Sequence, residues 1–419
     1  MSSYLNSKKA AFLYKDESQA TYFVDKTAMF DELIPVIEQT ALTNTALNTA
    51  VPLKGKSNKY ICVTRSRRFG KSMIASMIAA YLGKGRNTRP VFDHLAVSSR
   101  EWYLSHINRH NVIYMALNSL PANCTSYQQY IDRISKRLLR DLKAAYPAVE
   151  STEDDAVWDV LNDILESEDE DTKFIFVLDE WDFIFHRDFV TEKDKANYID
   201  FLSNLLKDQP YVELAYMTGI LPIAKYSSGS ELNMFYEYTM ASEERFSEYF
   251  GFTEEEANML FARYQALTST PHITLTGLQM WYNGYHTKSG KRVYNPRSIV
   301  AALTNNNLGN YWATRNEIFS AMVVYGFLNY EKGYVSVPNQ ELMQRFEEML
   351  KKEPSLGYVY KLAEKSEAML KATLDGDITT MLDILEFAHN TEIPLLAYNN
   401  EADLAALIKI EVLKRKYNR

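Results

Sequence analysis

The chain has 419 residues, too many for one ordinary hydrophobic core, so two or three domains are expected. Apolar residues make up 46% and aromatic residues 13%, which excludes a disordered or low-complexity chain. A formal net charge of −8 makes the molecule as a whole repel nucleic acid and anionic membranes, leaving only a local patch to bind either.

Residues 28–40 read as a helix, and the Thr/Asn/Ala-rich stretch from Thr40 to Asn58 as an exposed connection. Then comes Tyr60-Ile-Cys-Val-Thr-Arg-Ser-Arg-Arg-Phe-Gly-Lys-Ser72, an apolar strand running into a loop. A phosphate-binding loop reads G-x-x-x-x-G-K-[ST]; Gly70, Lys71 and Ser72 supply its second half, while Arg65 stands where the first glycine belongs. Gly70 lets the backbone approach a phosphate, Lys71 bridges the β- and γ-phosphates, and the Ser72 hydroxyl is placed to ligate Mg²⁺. The segment Ser72–Leu82 follows with strong helix formers and stops at Gly83, so the strand–loop–helix context that the motif requires is present. The competing reading is a chance Gly-Lys-Ser. Arg65, Arg67 and Arg68 add a dense cationic loop, read as extra phosphate neutralisation, as a nucleic-acid edge, or as partners of nearby carboxylates.

Asn111–Leu117 reads as a second buried strand, followed by an amphipathic helix over about 126–145 with basic residues on one face. The acidic run Glu166–Asp171 is a solvated turn. Lys173-Phe-Ile-Phe-Val-Leu-Asp-Glu-Trp-Asp182 is a continuous apolar run ending in acids, as a central parallel strand reads when both faces are covered. Asp179 at its tip can hold the Mg²⁺ hydration shell, and Glu180 can polarise a water for attack on the γ-phosphate; an acidic strand end facing solvent is the bland alternative. Asp182 reads equally as a helix N-cap. A helix over about 193–206 and a strand Val212–Met217 come next. Thr218 at that strand's tip is a polar sensor of the γ-phosphate or a plain turn residue before Gly219. Strands alternating with helices predict an α/β fold with a parallel sheet, its ligand at the carboxyl ends of the strands.

Thr253-Glu-Glu-Glu256 reads as a helix start, and Gly284 and Asn295-Pro296 as turns. From about Glu317 the pattern is a helix (Phe319–Tyr325), a hairpin over 326–337 turning at Lys332-Gly333, and a helix Glu341–Lys352, an order that resembles a winged-helix unit. Such a unit binds DNA or packs against its neighbour; packing is the preferred reading. Residues 358–390 read as further helices. Cys62 and Cys124 are too few for a disulfide framework and match no metal-ligand spacing. No apolar run approaches a membrane span and no signal-type stretch follows Met1, so a reducing, cytoplasmic setting is expected.

Seven segments together resemble the bacterial AAA-ATPase-like family, whose members are often fused to a C-terminal PD-(D/E)XK nuclease-like domain. They are Tyr22-Phe-Val-Asp-Lys-Thr27, Thr64–Ser72, Val177–Asp182, Met217-Thr-Gly-Ile220, Phe250–Glu256, Trp281-Tyr-Asn-Gly-Tyr285 and Tyr294-Asn-Pro-Arg-Ser298. In the family's loop an arginine at the place of Arg65 is usual; Ser66 replaces a usual proline, and Trp181 a usual tyrosine. The resemblance implies an additional-strand P-loop ATPase core over 1–225, a helical lid over 226–316, and a mainly helical C-terminal region over 317–419. It implies ATP and Mg²⁺ as cofactors, with Arg67, Arg68, Phe69, Gly70, Lys71, Ser72 and Thr218 on the nucleotide. Ser72 and Asp179 are then on Mg²⁺, Glu180 is the catalytic base and Lys71 the catalytic lysine. Arg245 and Arg297 are candidates for an arginine finger, with ion-pair or surface roles as the alternative.

Ala397–Leu404 resembles the start of the nuclease-like domain, but the chain ends at Lys414-Arg-Lys-Tyr-Asn-Arg419 before a nuclease core, so a truncated member is expected. Asp171-Thr-Lys173 fits the D-x-K pattern yet belongs to the Asp179 strand. The function expected is Mg²⁺-dependent ATP hydrolysis driving conformational change. The alternative is an ATP-dependent switch or interaction module with little turnover, serving as the regulatory part of a nuclease system. A protein partner or self-association is compatible with either; nucleic acid is not indicated by net charge, and no membrane is implied.

Overall fold

This computed structural model describes residues 2–45, 58–150, 152, 154–167, 172–223, 231–240, 245–309, 311, 329–331, 334–337 and 339–352, with 369, 371–372, 375 and 377–381. The chain divides into two compact units, residues 1–311 with 317–339, and residues 312–316 with 340–419.

The first unit begins with α1 (Lys8–Ser18), α2 (Phe30–Thr45), β1 (Tyr60–Thr64), α3 (Lys71–Leu82), α4 (Arg89–Phe92), α5 (Tyr103–His106) and β2 (Asn111–Ala116). It continues with α6 (Tyr127–Ala145), α7 (Val157–Ser167), β3 (Phe174–Asp179), α8 (Glu192–Leu206), β4 (Val212–Gly219) and β5 (Tyr236–Tyr238). The five strands form one sheet in the order β2-β3-β4-β1-β5, every neighbouring pair parallel. The expected α/β fold is therefore observed, and its sheet is that of a P-loop NTPase-like fold. β4 lies between the strand that feeds the loop and the strand that carries Asp179: Tyr60 and Phe176 both register against Ala215.

Every residue of β1 and β3 is buried, which explains their unbroken apolar runs. Alternate residues feed two cores. Tyr60, Cys62, Phe174, Phe176 and Leu178 join α6, α7 and α8 on one face. Ile61, Val63, Ile175 and Val177 join α1, α2 and α3 on the other. β5, three residues long, is too short for the sequence to show periodicity. α2 runs to Thr45 rather than ending at Thr40.

The outer edge of β2 is covered by the chain's first residues. Leu5 bridges Ile113 in antiparallel fashion, Asn6 N donates to Val112 O at 2.7 Å, and Tyr114 N donates to Tyr4 O at 3.1 Å. The buried Asp141 carboxylate of α6 fixes this segment by accepting from Ser3 N and Tyr4 N, each at 2.6 Å. An edge so covered cannot template pairing with another chain.

Beyond β5 come β6 (Phe252–Thr253), α9 (Glu254–Leu267), α10 (Leu275–Tyr282), β7 (Tyr285–His286), β8 (Arg292–Tyr294) and α11 (Pro296–Asn305). The three strands form a small antiparallel sheet, order β6-β8-β7, over a separate core that includes Leu260, Tyr264, Leu278, Tyr294 and Ile299. The region expected to be helical therefore carries a sheet as well, from strands of two and three residues. Thr253 starts α9 as read: its Oγ1 accepts Glu256 N, and Glu256 Oε2 accepts Thr253 N. β9 (Asn329–Glu331) and β10 (Tyr334–Ser336) pair antiparallel, as the hairpin pattern predicts. The helix Gln340–Lys352 belongs to the second unit and the hairpin to the first. The expected helix at 319–325, most of 358–390, the segment 397–404, the chain end, the turn residues Lys332 and Gly333, and Asp171 lie outside the described residues.

Candidate nucleotide site

The loop between β1 and α3 turns on two left-handed residues, Arg68 (φ 71°) and Gly70 (φ 86°). A Cβ on Gly70 would meet nothing nearer than Met73 Cε at 4.0 Å, so backbone conformation and not space calls for glycine there. Gly70 O then accepts Ile74 N at 2.9 Å and opens the helix. Lys71, at the first helical position, is buried and curls back: its Nζ donates to Arg65 O at 2.7 Å and Ser66 O at 2.8 Å. Burial draws its ammonium down to about 8, against the pull of Asp182, Asp179 and Glu180; Arg67 pushes the same way as burial. Ser72 is exposed, and Arg67 and Arg68 are half-buried.

Arg65 turns away from the loop. Its guanidinium, 2% exposed, donates to Thr64 O at 2.8 Å and Tyr238 O at 2.6 Å and sits 5.1 Å from the centre of the Phe250 ring. The residue in the place of the first glycine thus ties the end of β1 to β5 and to the segment beyond it.

Asp179 and Thr218, at the tips of adjacent strands, are both buried, and Thr218 Oγ1 donates to Asp179 Oδ1 at 2.7 Å. Glu180 leaves β3 in a left-handed conformation (φ 54°), which costs about 1–3 kcal/mol in a non-glycine residue. Its N–H meets Thr218 Oγ1 at 3.4 Å, and its side chain is hydrogen-bonded to Asn118, just past β2. Burial and the neighbouring Asp179 raise the Glu180 carboxyl above its usual range, while Asn118 and Lys71 hold it back. Asn118 did not stand out in the sequence. The signal that singled out Asp179 and Thr218, a polar residue at the carboxyl tip of a buried strand, applies to it equally.

Asp182 does something that neither reading of it foresaw. Its Oδ2 accepts Ile220 N at 2.9 Å and Leu221 N at 2.8 Å, pinning the chain where it leaves β4. Burial raises its carboxyl, and these two bonds oppose the rise. Gly219 is required beside it, because a Cβ there would lie 2.4 Å from Trp181 Nε1 and 3.0 Å from Asp182 Oδ1.

The loop is also held from behind. Gly251 N donates to Phe69 O at 3.3 Å, Asn295 Nδ2 donates to Arg67 O at 3.3 Å, and Arg68 donates to Tyr311 O. The buried Phe69 ring stands edge-on to Tyr285 at 5.0 Å. The side chains of Arg68 and Phe69 are therefore turned toward later segments. Asp179, Glu180 and Arg67 are brought close enough to Lys71 to influence its charge. The Tyr22–Thr27 segment has a similar anchoring role: the buried Lys26 Nζ donates to both Glu256 oxygens (2.6 and 2.7 Å) and to Glu248 O at 2.7 Å. Arg245 is engaged with Glu32 at 2.8 Å and with Tyr238 Oη at 3.1 Å, whereas Arg297 is exposed at the start of α11.

Residues 51–228, spanning β1 to the end of β4, match the AAA-ATPase-like family model, described as a predicted AAA-ATPase. No curated protein and no solved structure matches the chain. Among the described residues no helix is long and apolar enough to cross a membrane, and no group of three or more His, Cys, Asp or Glu is arranged to hold a metal ion.

Proposed function

We propose that the chain binds ATP with Mg²⁺ at the Thr64–Ser72 loop and hydrolyses it to ADP and phosphate. One observation carries this reading: Lys71 and Ser72 open a helix behind a left-handed glycine, while Thr218 stands at the tip of the adjacent strand β4, and Asp179 and Glu180 at the end of β3 beyond it. Two oxygen donors, the exposed Ser72 hydroxyl and the Asp179 carboxylate, suit Mg²⁺, a hard cation that takes few protein ligands when phosphates supply the rest. When bound it neutralises charge on the β- and γ-phosphates.

In this reading the backbone of Arg67–Gly70 and the start of α3 cradle the phosphates. Lys71 leaves the loop carbonyls it now satisfies and meets the β- and γ-phosphates. Glu180 takes a proton from the attacking water as its oxygen bonds to the γ-phosphorus and the bond to the ADP oxygen breaks. Thr218 reports on the γ-phosphate through its bond to Asp179. Residues 1–225 serve as the ATPase core in a cytoplasmic protein, 226–316 as the lid moved by the cycle, and 317–419 as a region that engages a protein partner or a second copy.

A second reading, a slow switch or interaction module, is favoured by the resting arrangement: Lys71 is satisfied by its own loop and Glu180 is tied to Asn118. Phosphate release and ATP binding measured for wild type, Lys71→Ala and Glu180→Gln separate the two. Hydrolysis requires wild-type turnover well above both variants, with Glu180→Gln still binding ATP. Equal turnover of wild type and Glu180→Gln, with ATP bound by both, rejects the enzyme in favour of the switch.

A further inference from the structure

At the amino ends of the strands, opposite the phosphate loop, four side chains from separate parts of the chain lie in a row. Glu38 of α2 meets His106 Nε2 at 3.3 Å, and His106 Nδ1 meets His110 Nε2 at 3.0 Å. His110 Nδ1 then meets Glu213 of β4 at 3.1 Å. The two imidazole planes are 1° from parallel with centroids 5.3 Å apart. With nitrogens 3.0 Å apart, that separation belongs to rings lying end to end in one plane, so the contact is an in-plane N–H···N bond. The two histidines and Glu213 are 9–13% exposed, and Glu38 is 52% exposed.

Proton counting gives the row its character. Three contacts between two carboxylates and two imidazoles need three protons, and two neutral imidazoles carry two. With both rings neutral, His110 Nδ1–H serves Glu213 and His106 Nδ1–H serves His110. His106 Nε2 is then left with its lone pair toward Glu38. One added proton on that nitrogen completes the row. A second would have to go onto His110 Nε2 and set two N–H groups against each other across 3.0 Å, between two like charges.

We propose that Glu38, His106, His110 and Glu213 form a one-proton latch, which binds a single proton as a unit and opens when a second is forced in. The first proton ties α2 through α5 and His110 to the start of β4. The second breaks the central bond and with it the polar tie between Glu38 of α2 and Glu213 of β4, while the apolar face of α2 stays packed on the sheet. The charged groups facing the pair are the two carboxylates, from α2 and β4, and each ring faces the other. Arg109 and Lys84 flank His110 along the backbone, but both are exposed. Burial and the neighbouring His110 draw His106 below the ordinary histidine range, while Glu38 and Glu213 oppose this. The first proton therefore arrives in mild acid. An unfolded chain takes two protons where the row takes one, so once the row holds its first proton the folding equilibrium constant falls about tenfold per further pH unit.

Imidazole ¹⁵N spectra of the full chain from pH 8 to 4.5 test this. The latch requires the two rings together to take up one proton while folded, both rings sensing it, and the second only as the fold is lost. Two independent curves, each ring gaining a full proton in the folded state, would overturn it. Glu38→Gln, a change at a half-exposed position, should keep the fold and move the single-proton midpoint to lower pH; an unmoved midpoint also counts against the latch. His110→Gln should leave His106 titrating alone and abolish the tenfold-per-unit acid loss of stability. Retention of that loss would place its origin elsewhere.

Discussion

Replacing Arg65 with alanine separates a structural arginine from a phosphate ligand. The guanidinium holds two backbone carbonyls, Thr64 O at 2.8 Å and Tyr238 O at 2.6 Å, and sits over Phe250. Each bond from a charged donor contributes about 1.5–3 kcal/mol. A desolvated cation over an aromatic face adds about 2 kcal/mol. Against these stands the cost of burying the charge, several kcal/mol, which alanine relieves. The two carbonyls left behind at the buried β1–β5 end lose their donors, so the net loss should be about 3 kcal/mol. That is a large part of the 5–15 kcal/mol typical of a folded domain. Urea unfolding reads it as a lowered midpoint at unchanged slope. ATP affinity, measured where the variant is fully folded, should change by no more than about threefold, or 0.7 kcal/mol. Arg65→Lys keeps the charge but not the fork, and should fall between wild type and alanine in stability. Near-wild-type stability combined with lost ATP binding would refute this account and return Arg65 to the phosphates.

Four further outcomes are expected, three at the site and one at the Lys26–Glu256 pair. Lys71 is charged below about 8 and neutral above it, so the ATP dissociation constant should rise about tenfold per pH unit beyond that point. Calorimetry in two buffers should show one proton taken up on binding there; flat affinity from neutral to strongly alkaline pH would remove Lys71 from the site. The same depressed ammonium makes folded stability rise between about 8 and 10.5, because over that window the unfolded chain holds the proton and the folded chain does not. Asn118→Ala removes a bond that favours the charged form of Glu180, so the acid limb of the turnover profile should move to higher pH, and an unmoved limb would separate Asn118 from the chemistry. Lys26→Met strands a Glu256 carboxylate that is only 22% exposed and should cost about 2–4 kcal/mol in urea unfolding, part of which Lys26→Met with Glu256→Gln recovers.

What could be read in advance was whatever depends on residues close together in sequence. The apolar runs of β1 and β3 announce strands covered on both faces, and polar residues at their tips announce a site. Thr253 and Glu256 announce a helix start, because both partners of the capping box lie within one turn. The roles of Arg65 and Asp182 are not legible in the sequence, because their partners are backbone groups far along the chain: Tyr238 O is 173 positions from Arg65, and Ile220 N is 38 from Asp182. The N-terminal segment along β2 has no periodicity of its own and is ordered by Asp141 and by the open edge it covers. β5 to β8 are too short to carry a period-two signal. In the histidine row only His106 and His110 are close in sequence; Glu38 and Glu213 lie 68 and 103 positions from the histidines they meet, so the row as a whole is not legible in the sequence.

Segments beyond the family match have a physical role at the loop. Gly251, Tyr285 and Asn295 come from three separate segments, and together they meet Phe69 and Arg67, with Tyr311 O meeting Arg68. A left-handed Arg68 costs about 1–3 kcal/mol and persists only where its surroundings over-determine it. The contacts on Arg67, Arg68 and Phe69 are those surroundings. Gly251 is itself left-handed at φ 90°, and its surroundings are tight: a Cβ would lie 3.1 Å from Tyr294 O and 3.3 Å from the Phe69 ring. The phosphate loop is thus moulded by residues beyond position 228, where the family match ends, and those contacts must yield or hold whenever a ligand shifts the backbone of Arg67–Phe69. The residues that choose the loop's shape from outside it, Gly251, Tyr285, Asn295 and Tyr311, are not the residues that would touch a nucleotide.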